Sequence, residues 1–180
     1  MKIIKPVALA VMAITCSAMF SMPASAQQTP KLSDPEITSV AVVANQNDID
    51  FARIAEKKSK DADILKFAQT MARDHQSVID QAVALVTKLK VTPKDNAVSK
   101  KLAADAQKTQ KMLRSKSGKG FDKAYIDNEV SYHKAVISAV ENLLIPQAQN
   151  SELKGLLQKV LPVLKDHLSH AEMVQKNVDK

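Results

Sequence analysis

The chain of 180 residues has few of the residues that interrupt or cross-link a fold: one cysteine, three glycines, no tryptophan and 3% aromatic residues. A single cysteine forms no intramolecular disulfide, and there is no cysteine cluster for a structural zinc site. Three glycines leave no glycine-rich phosphate loop. Low glycine and few aromatic residues argue against a β-sandwich or barrel. The composition predicts an all-α protein, and the length suits one domain.

The first 26 residues have the pattern of a cleaved secretory signal peptide. Lys2 and Lys5 form a short basic region, residues 7–20 form an apolar run, and Ala24-Ser25-Ala26 is a cleavage site of the A-x-A type. The apolar run is shorter than the roughly 20 residues that span a membrane. Cys16 raises the alternative of a lipoprotein, but the residues before it fit a lipid-attachment sequence poorly. We expect cleavage at this site and Gram-negative-type export, which makes the protein periplasmic or secreted.

After this segment, residues 27–33 are polar and predicted to be flexible, and residues 34–178 are predicted to form the folded domain. Ser33 and Glu36 have the spacing of a capping box at the start of a first helix. Apolar residues then recur every three or four positions, which is the helical period. This periodicity predicts five helices, over residues 34–58, 61–90, 95–116, 121–145 and 151–177.

Glycines and prolines set the expected helix boundaries. The segment Gly118-Lys119-Gly120 is predicted to break the chain between the third and fourth helices, and Pro146 to end the fourth. Pro162 lies inside the fifth helix and predicts a kink there, because proline removes a backbone N–H donor.

The spacing of the helices predicts two antiparallel hairpins joined by a long connection. The last helix is roughly 40 Å long, and the connection of about thirty residues is long enough to return along that length. We therefore expect a ferritin-like four-helix bundle with a long helical crossover between the hairpins. The alternative is an up-down bundle in which residues 95–116 are a full member, although their apolar stripe is narrow.

Three histidines fall on the apolar faces of three different predicted helices: His75, His133 and His167. Glu129 lies one turn before His133, and Asp48 falls where the apolar face of the first helix is interrupted. Counted from the turns, all five lie at a similar depth. Imidazoles and carboxylates that converge inside a bundle are how helical metal sites are built. Such a His-rich set suits copper, zinc or nickel at least as well as iron.

The same residues also have a purely structural interpretation. A histidine on an apolar face is often a hydrogen-bonded packing residue, and Asp48 is equally compatible with an exposed position, with Asn47 facing inward. Asp74 and Asp166 directly precede histidines, so they point about 100° away from the apolar faces. The Glu-x-x-His motif of helical di-iron oxidases is missing, which disfavours a ferritin-type iron oxidase.

Positive charge is concentrated in the predicted crossover. Residues 88–123 contain eleven lysines or arginines and three aspartates, a net charge of +8. A candidate basic surface for anionic envelope components or an acidic protein partner is formed by Lys100, Lys101, Lys108 and Lys111. A solvated lysine surface is the alternative interpretation. Nucleic acid is not an expected partner, because the chain is predicted to be exported and no aromatic residues alternate with these lysines.

Four stretches and one single residue carry a family resemblance: Phe51-Ala-Arg-Ile-Ala, Phe67-Ala-Gln-Thr-Met-Ala-Arg-Asp-His75, Phe121-Asp-Lys-Ala-Tyr125, His167-Leu-Ser-His-Ala and His133. Over about residues 38–175 the chain resembles the domain of unknown function 4142 family of exported bacterial proteins. The resemblance implies a ferritin-like four-helix fold and a location in the cell envelope. It implies no settled activity, substrate or metal.

Two functions are compatible with the sequence. The first is a non-catalytic exported module for binding or envelope maintenance, with the basic crossover as its partner surface. The second is a metal-binding or metal-dependent redox protein that uses the inward histidines. Catalysis without a metal has little support, because the predicted mature chain has no cysteine nucleophile and no recognisable Ser-His-Asp pattern.

Overall fold

Segments with apolar residues every three or four positions bury one face of each helix against its neighbours. A computed structural model of the chain describes residues 30–178. All regular secondary structure in that range is helical, which confirms the all-α prediction. The predicted signal peptide lies outside the described residues. The elements are α1 (Asp34–Lys58), α2 (Ala62–Leu89), α3 (Ala97–Ser115), α4 (Gly118–Ala139), a π-helical turn (Val140–Leu144), α5 (Ile145–Gln147) and α6 (Ser151–Val178). Within residues 30–178, each helix is too short or too polar to span a bilayer.

Side chains accept hydrogen bonds from backbone N–H groups at the starts of α1, α2 and α3. Glu36 Oε2 accepts hydrogen bonds from both the N–H and the hydroxyl of Ser33, at 3.0 and 2.6 Å, which confirms the predicted capping box. Asp61 and Asn96 each accept two backbone N–H groups at the starts of α2 and α3. These caps hold donors that have no partner inside the helix.

Two helix boundaries differ from the predicted ones. The break after α3 lies at residues 116–117, and Gly118 is the first residue of α4, with a φ of +54°. Glycine adopts this left-handed backbone without a Cβ clash, so Gly118 shapes the entry into α4. At its other end the helix does not stop before Pro146. Its backbone hydrogen bonds shift to those of a π-helical turn, in which the Ile145 N–H donates to the Val140 carbonyl. α5 follows and carries Pro146 in its first turn, where a missing N–H costs little.

Part of the segment predicted to be flexible has defined contacts. The N–H of Leu32 donates to Gln147 Oε1 at 2.7 Å, and Gln147 Nε2 donates to the Pro30 carbonyl at 2.9 Å. The Leu32 side chain is buried. Residues 30–32 are therefore held against the end of α5.

The helices pack as two hairpins with α3 alongside. α1 packs along α2, α4 packs along α6, and the pairs meet through α2 with α6 and α1 with α4. α3 follows α1 from end to end, since Asn96 Nδ2 donates to the Glu36 carbonyl at 3.1 Å and Lys58 Nζ donates to the Arg114 carbonyl at 2.6 Å. The connection between the hairpins therefore travels the length of α1.

The interior consists of two apolar halves separated by a polar layer. The half near the α1–α2 turn contains the buried aromatic residues Phe51, Phe67, Phe121 and Tyr125. The half near the α4–α6 turn is aliphatic, and its buried residues include Ile37, Val40, Leu144, Leu153, Leu157 and Leu164. Along each of the four long helices that carry these residues, a buried acid or histidine lies between the two halves.

Candidate metal centre

The polar layer consists of the five residues that the sequence singled out: Asp48 on α1, His75 on α2, Glu129 and His133 on α4, and His167 on α6. Each takes an apolar position of its helix, so folding of the apolar faces carries it inward. Their exposed fractions lie between 0% and 6%. The structure therefore brings all five together, and Asp48, whose exposure the sequence left open, faces inward.

The ligand-type atoms of these residues are close to one another. One ring nitrogen of each histidine lies within 4.8 Å of the other two, and Asp48, Glu129 and His133 form a second group within the same distance. Asp48 Oδ2 is 3.4 Å from His75 Nε2 and 3.7 Å from His133 Nε2. Because the two groups share His133, the five residues form one continuous set, the His–carboxylate cluster.

Hydrogen bonds fix one ring nitrogen of His75 and of His133. His75 Nδ1 donates to Asn45 Oδ1 at 2.7 Å, and the Asn45 amide nitrogen donates to the Ala41 carbonyl, so the Asn45 oxygen is the accepting atom. His133 Nδ1 donates to the backbone carbonyl of Glu129 at 2.9 Å. In both rings Nδ1 carries the proton, and the lone pair of Nε2 faces the cluster.

His167 is oriented the opposite way. Its Nε2 donates to Asp74 Oδ2 at 3.1 Å, which leaves Nδ1 as the free nitrogen. Asp74 also accepts from Arg73 Nε at 2.8 Å. Burial alone would raise the pKa of Asp74, but the hydrogen bonds from Arg73 and His167 outweigh it and lower this pKa. Asp74 is therefore a carboxylate that orients His167 from behind.

The remaining atoms of the cluster are buried without a hydrogen-bond partner in the described part of the chain. They are His75 Nε2, His133 Nε2, His167 Nδ1 and all four carboxylate oxygens of Asp48 and Glu129. Buried nitrogen and oxygen atoms without partners are uncommon and costly. Seven of them are concentrated in one layer, which is a donor set large enough to supply the ligands of one cation.

Burial also shifts the protonation of the cluster. It raises the pKa of Asp48 to about 6, although the nearby His133 opposes this shift, and raises the pKa of Glu129 well above its ordinary value. Burial lowers the pKa of His75 to about 4 and lowers the pKa of His133 and of His167. The histidines are thus held in the neutral form that ligates metals.

Imidazole nitrogens with carboxylate oxygens suit zinc, copper, nickel and iron ions. Metal–nitrogen bonds of about 2.0–2.1 Å require the three free nitrogens to move closer to one another by on the order of an ångström. The ion would be held by His75, His133 and His167, with Asp48 or Glu129 balancing its charge. The donor set therefore fits a transition metal ion.

Three residues of the site were not predicted as members. Asn45 lies three positions before Asp48, on the same face of α1, and that spacing was the available signal. Asp74 was expected to be solvated or to support a ligand from outside, and its contact with His167 depends on how α2 packs on α6. Tyr125 lies one turn before Glu129, and its buried hydroxyl has no hydrogen-bond partner among the described residues. Burial raises its pKa well above the ordinary value.

The four lysines of the predicted basic surface are exposed on α3. Lys101 and Lys108 both form ion pairs with Asp105, and these contacts lower the pKa of Asp105 to about 2. The charge of the surface is therefore partly neutralised within α3 itself, and Lys100 and Lys111 carry most of the remainder.

These features define an all-α protein with a buried cluster of three histidines and two carboxylates. The family described as a domain of unknown function, DUF4142, matches residues 20–174. The chain belongs to this family, which confirms the resemblance found in its sequence. Comparison with curated proteins gave no match, and comparison with solved structures gave none either.

Proposed function

We propose that this protein is an exported, ferritin-like four-helix bundle that binds one transition metal ion in its His–carboxylate cluster. The observation that carries the proposal is the concentration of seven buried, unpartnered nitrogen and oxygen atoms in one layer. Burying two carboxylates and one nitrogen of each of three imidazoles without hydrogen-bond partners opposes folding. A divalent cation bound to the free histidine nitrogens and to a carboxylate relieves part of this cost and offsets the carboxylate charge.

The hydrogen bonds behind the histidines support the same function. Metal-ligating histidines ordinarily donate their second nitrogen to a carbonyl or carboxylate, which fixes the tautomer and the ring orientation. Here each of the three histidines does so, to Asn45, to the Glu129 carbonyl and to Asp74. A histidine that only packs in the core does not need its free nitrogen to face the free nitrogens of two other histidines.

The test is elemental analysis of the purified protein, followed by removal of metal and titration. We expect one Zn²⁺, Cu²⁺, Ni²⁺ or Fe²⁺ ion per chain, and a rise in the melting temperature on reloading, because the ion binds only the folded state. Absence of metal together with no response to any of the four ions would contradict the proposal.

A second candidate function is association with anionic envelope material through α3. Its supporting observation is that Lys100 and Lys111 are exposed and form no ion pair within residues 30–178. The double variant Lys100→Glu/Lys111→Glu keeps the pairs to Asp105. We expect it to bind vesicles of anionic phospholipid at least about tenfold more weakly, because each lysine near such a surface contributes about 1 kcal/mol.

The matched control for this prediction is Lys159→Glu/Lys176→Glu, which makes the same change of charge on α6. Vesicle binding is measured by co-sedimentation, and helicity by circular dichroism. Equal binding of both double variants and the unmodified protein would show that α3 is only a solvated surface.

A further inference from the structure

A cavity of about 250 Å³ adjoins the His–carboxylate cluster. Most of its wall is aliphatic, with Val40 from α1, Ala82 from α2, Val140 from the π-helical turn, and Leu157 and Leu164 from α6. Most of it therefore lies in the aliphatic half of the interior, although Phe51 and Ala106 of the aromatic half also line it. An apolar cavity of roughly 150 Å³ is already large enough to bind benzene.

The residues along its wall show that the cavity is elongated. It is lined from position 38 to 51 on α1, from 98 to 109 on α3, from 132 to 144 on α4 and the π-helical turn, and from 153 to 164 on α6. The part of α1 from position 38 to Asp48 alone covers ten residues, which rise by about 15 Å. The cavity is thus a channel that runs along the helices from the cluster toward the α4–α6 turn.

The channel meets the cluster on one side only. Asp48, His75 and His133 border it, whereas Glu129 and His167 do not. A ligand in the channel therefore reaches an ion in the cluster from the side of these three residues. On the flank, Val78, Val98 and Val160 line the channel and remain half-buried, so the channel comes close to solvent there.

We propose that the channel binds the alkyl chain of a medium-chain fatty acid, whose carboxylate coordinates the metal ion held by the cluster. The inference rests on the proposed metal site. The length and aliphatic wall match an unbranched chain. A carboxylate is the head group that fits, because the end of the channel at the His–carboxylate cluster presents a cation when the metal is bound. Without the metal, that end presents the unpartnered oxygens of Asp48, which repel an anion.

The first experiment uses the full chain loaded with Co²⁺, whose visible absorption reports its ligands. Hexanoate, octanoate and decanoate are titrated by absorption and by calorimetry. We expect one fatty acid per chain and a change in the cobalt spectrum. Affinity should rise roughly fifteenfold for each two methylenes, because each buried methylene adds about fourfold. Decanol, which has the chain without the carboxylate, should leave the spectrum unchanged.

The second experiment narrows the channel without touching the cluster. Ala82 is buried and lines the channel, whereas Ala84, two residues away on α2, is exposed and does not. Ala82→Leu should weaken decanoate binding at least tenfold and leave the cobalt stoichiometry at one per chain. Ala84→Leu is the matched control and should bind decanoate as the unmodified protein does.

The outcomes separate the inference from the proposed function. Cobalt that binds while decanoate does not, or decanoate that binds equally with and without cobalt, would overturn the inference and leave the metal site standing. Equal decanoate affinity of the Ala82→Leu and Ala84→Leu variants would place the alkyl chain outside the channel. That result would overturn the inference as well. A protein that takes up no cobalt would contradict the proposed function and, with it, the carboxylate contact.

Discussion

Replacing His133 with alanine is expected to abolish stoichiometric metal binding and to weaken Zn²⁺ affinity by more than about 100-fold. His133 belongs to both ligand groups of the cluster, and its Nε2 lies 3.7 Å from Asp48 Oδ2. Removal of residues that merely orient a ligand costs 10- to 100-fold in affinity, so loss of a shared ligand costs more. Affinity is measured by competition with a chromophoric chelator.

The matched control for this variant is His170→Ala. His170 lies one turn beyond His167 on α6 and outside the cluster. Its ring packs edge-on against Phe67, with 5.1 Å between the ring centroids. Because His133 is buried, His133→Asn is made as well, to keep a polar side chain of moderate size if the alanine variant is unstable. Unchanged zinc binding by a folded His133 variant would remove this residue from the site.

Replacing Asp48 with asparagine is expected to stabilise the metal-free protein at pH 8, by about 1–3 kcal/mol. Asp48 is fully buried, and both its carboxylate oxygens lack hydrogen-bond partners. Burial raises its pKa from 3.8 to about 6. A shift of about two units corresponds to roughly 3 kcal/mol, and the buried amide retains part of that cost. The measurement is chemical unfolding of both proteins after removal of metal.

The sign of this effect depends on pH. Since the pKa of Asp48 is raised in the folded state, stability from its protonated form is fully present below pH 4 and is lost as pH rises through about 6. The advantage of Asp48→Asn should therefore grow from pH 4 to pH 7 and then level off. A difference between the two proteins that is constant from pH 4 to pH 8 would contradict this account.

Metal should reverse the order of the two proteins. In saturating Zn²⁺ the unmodified protein gains a charge partner for Asp48, whereas the asparagine variant gains a weaker ligand. We therefore expect the melting temperature of the unmodified protein to rise further on zinc addition. An equal rise in both proteins would show that Asp48 does not contribute to the ion.

Apolar periodicity was sufficient to predict the helices and the inward histidines. His75, His133 and His167 each fill an apolar position, so the same pattern that predicts the helix also predicts the direction of the side chain. The depth of Glu129 and Asp48 followed from counting residues to the turns. The inward orientation of Asp48 over Asn47 was not decided, because either residue can fill the interrupted position of the apolar face, and both are in fact buried.

Other features depend on contacts that a sequence pattern does not contain. The hydrogen bond of Asp74 to His167 joins residues 93 positions apart and depends on the packing of α2 on α6. The channel depends on the summed volumes of side chains from several helices, which periodicity leaves unspecified. The shift into a π-helical turn before Pro146 depends on backbone hydrogen bonding after the helix has formed.

The polar layer between the two apolar halves also determines how the helices align along their axes. If α6 slid by one turn, Leu164 or Ala171 would lie opposite His75 and His133, and His167 would enter an apolar half without Asp74. Aliphatic seams tolerate such a slip at low cost, whereas a buried polar residue fixes a single alignment. The cluster therefore selects one helix register, and this register brings the ligand atoms to the same level each time the chain folds.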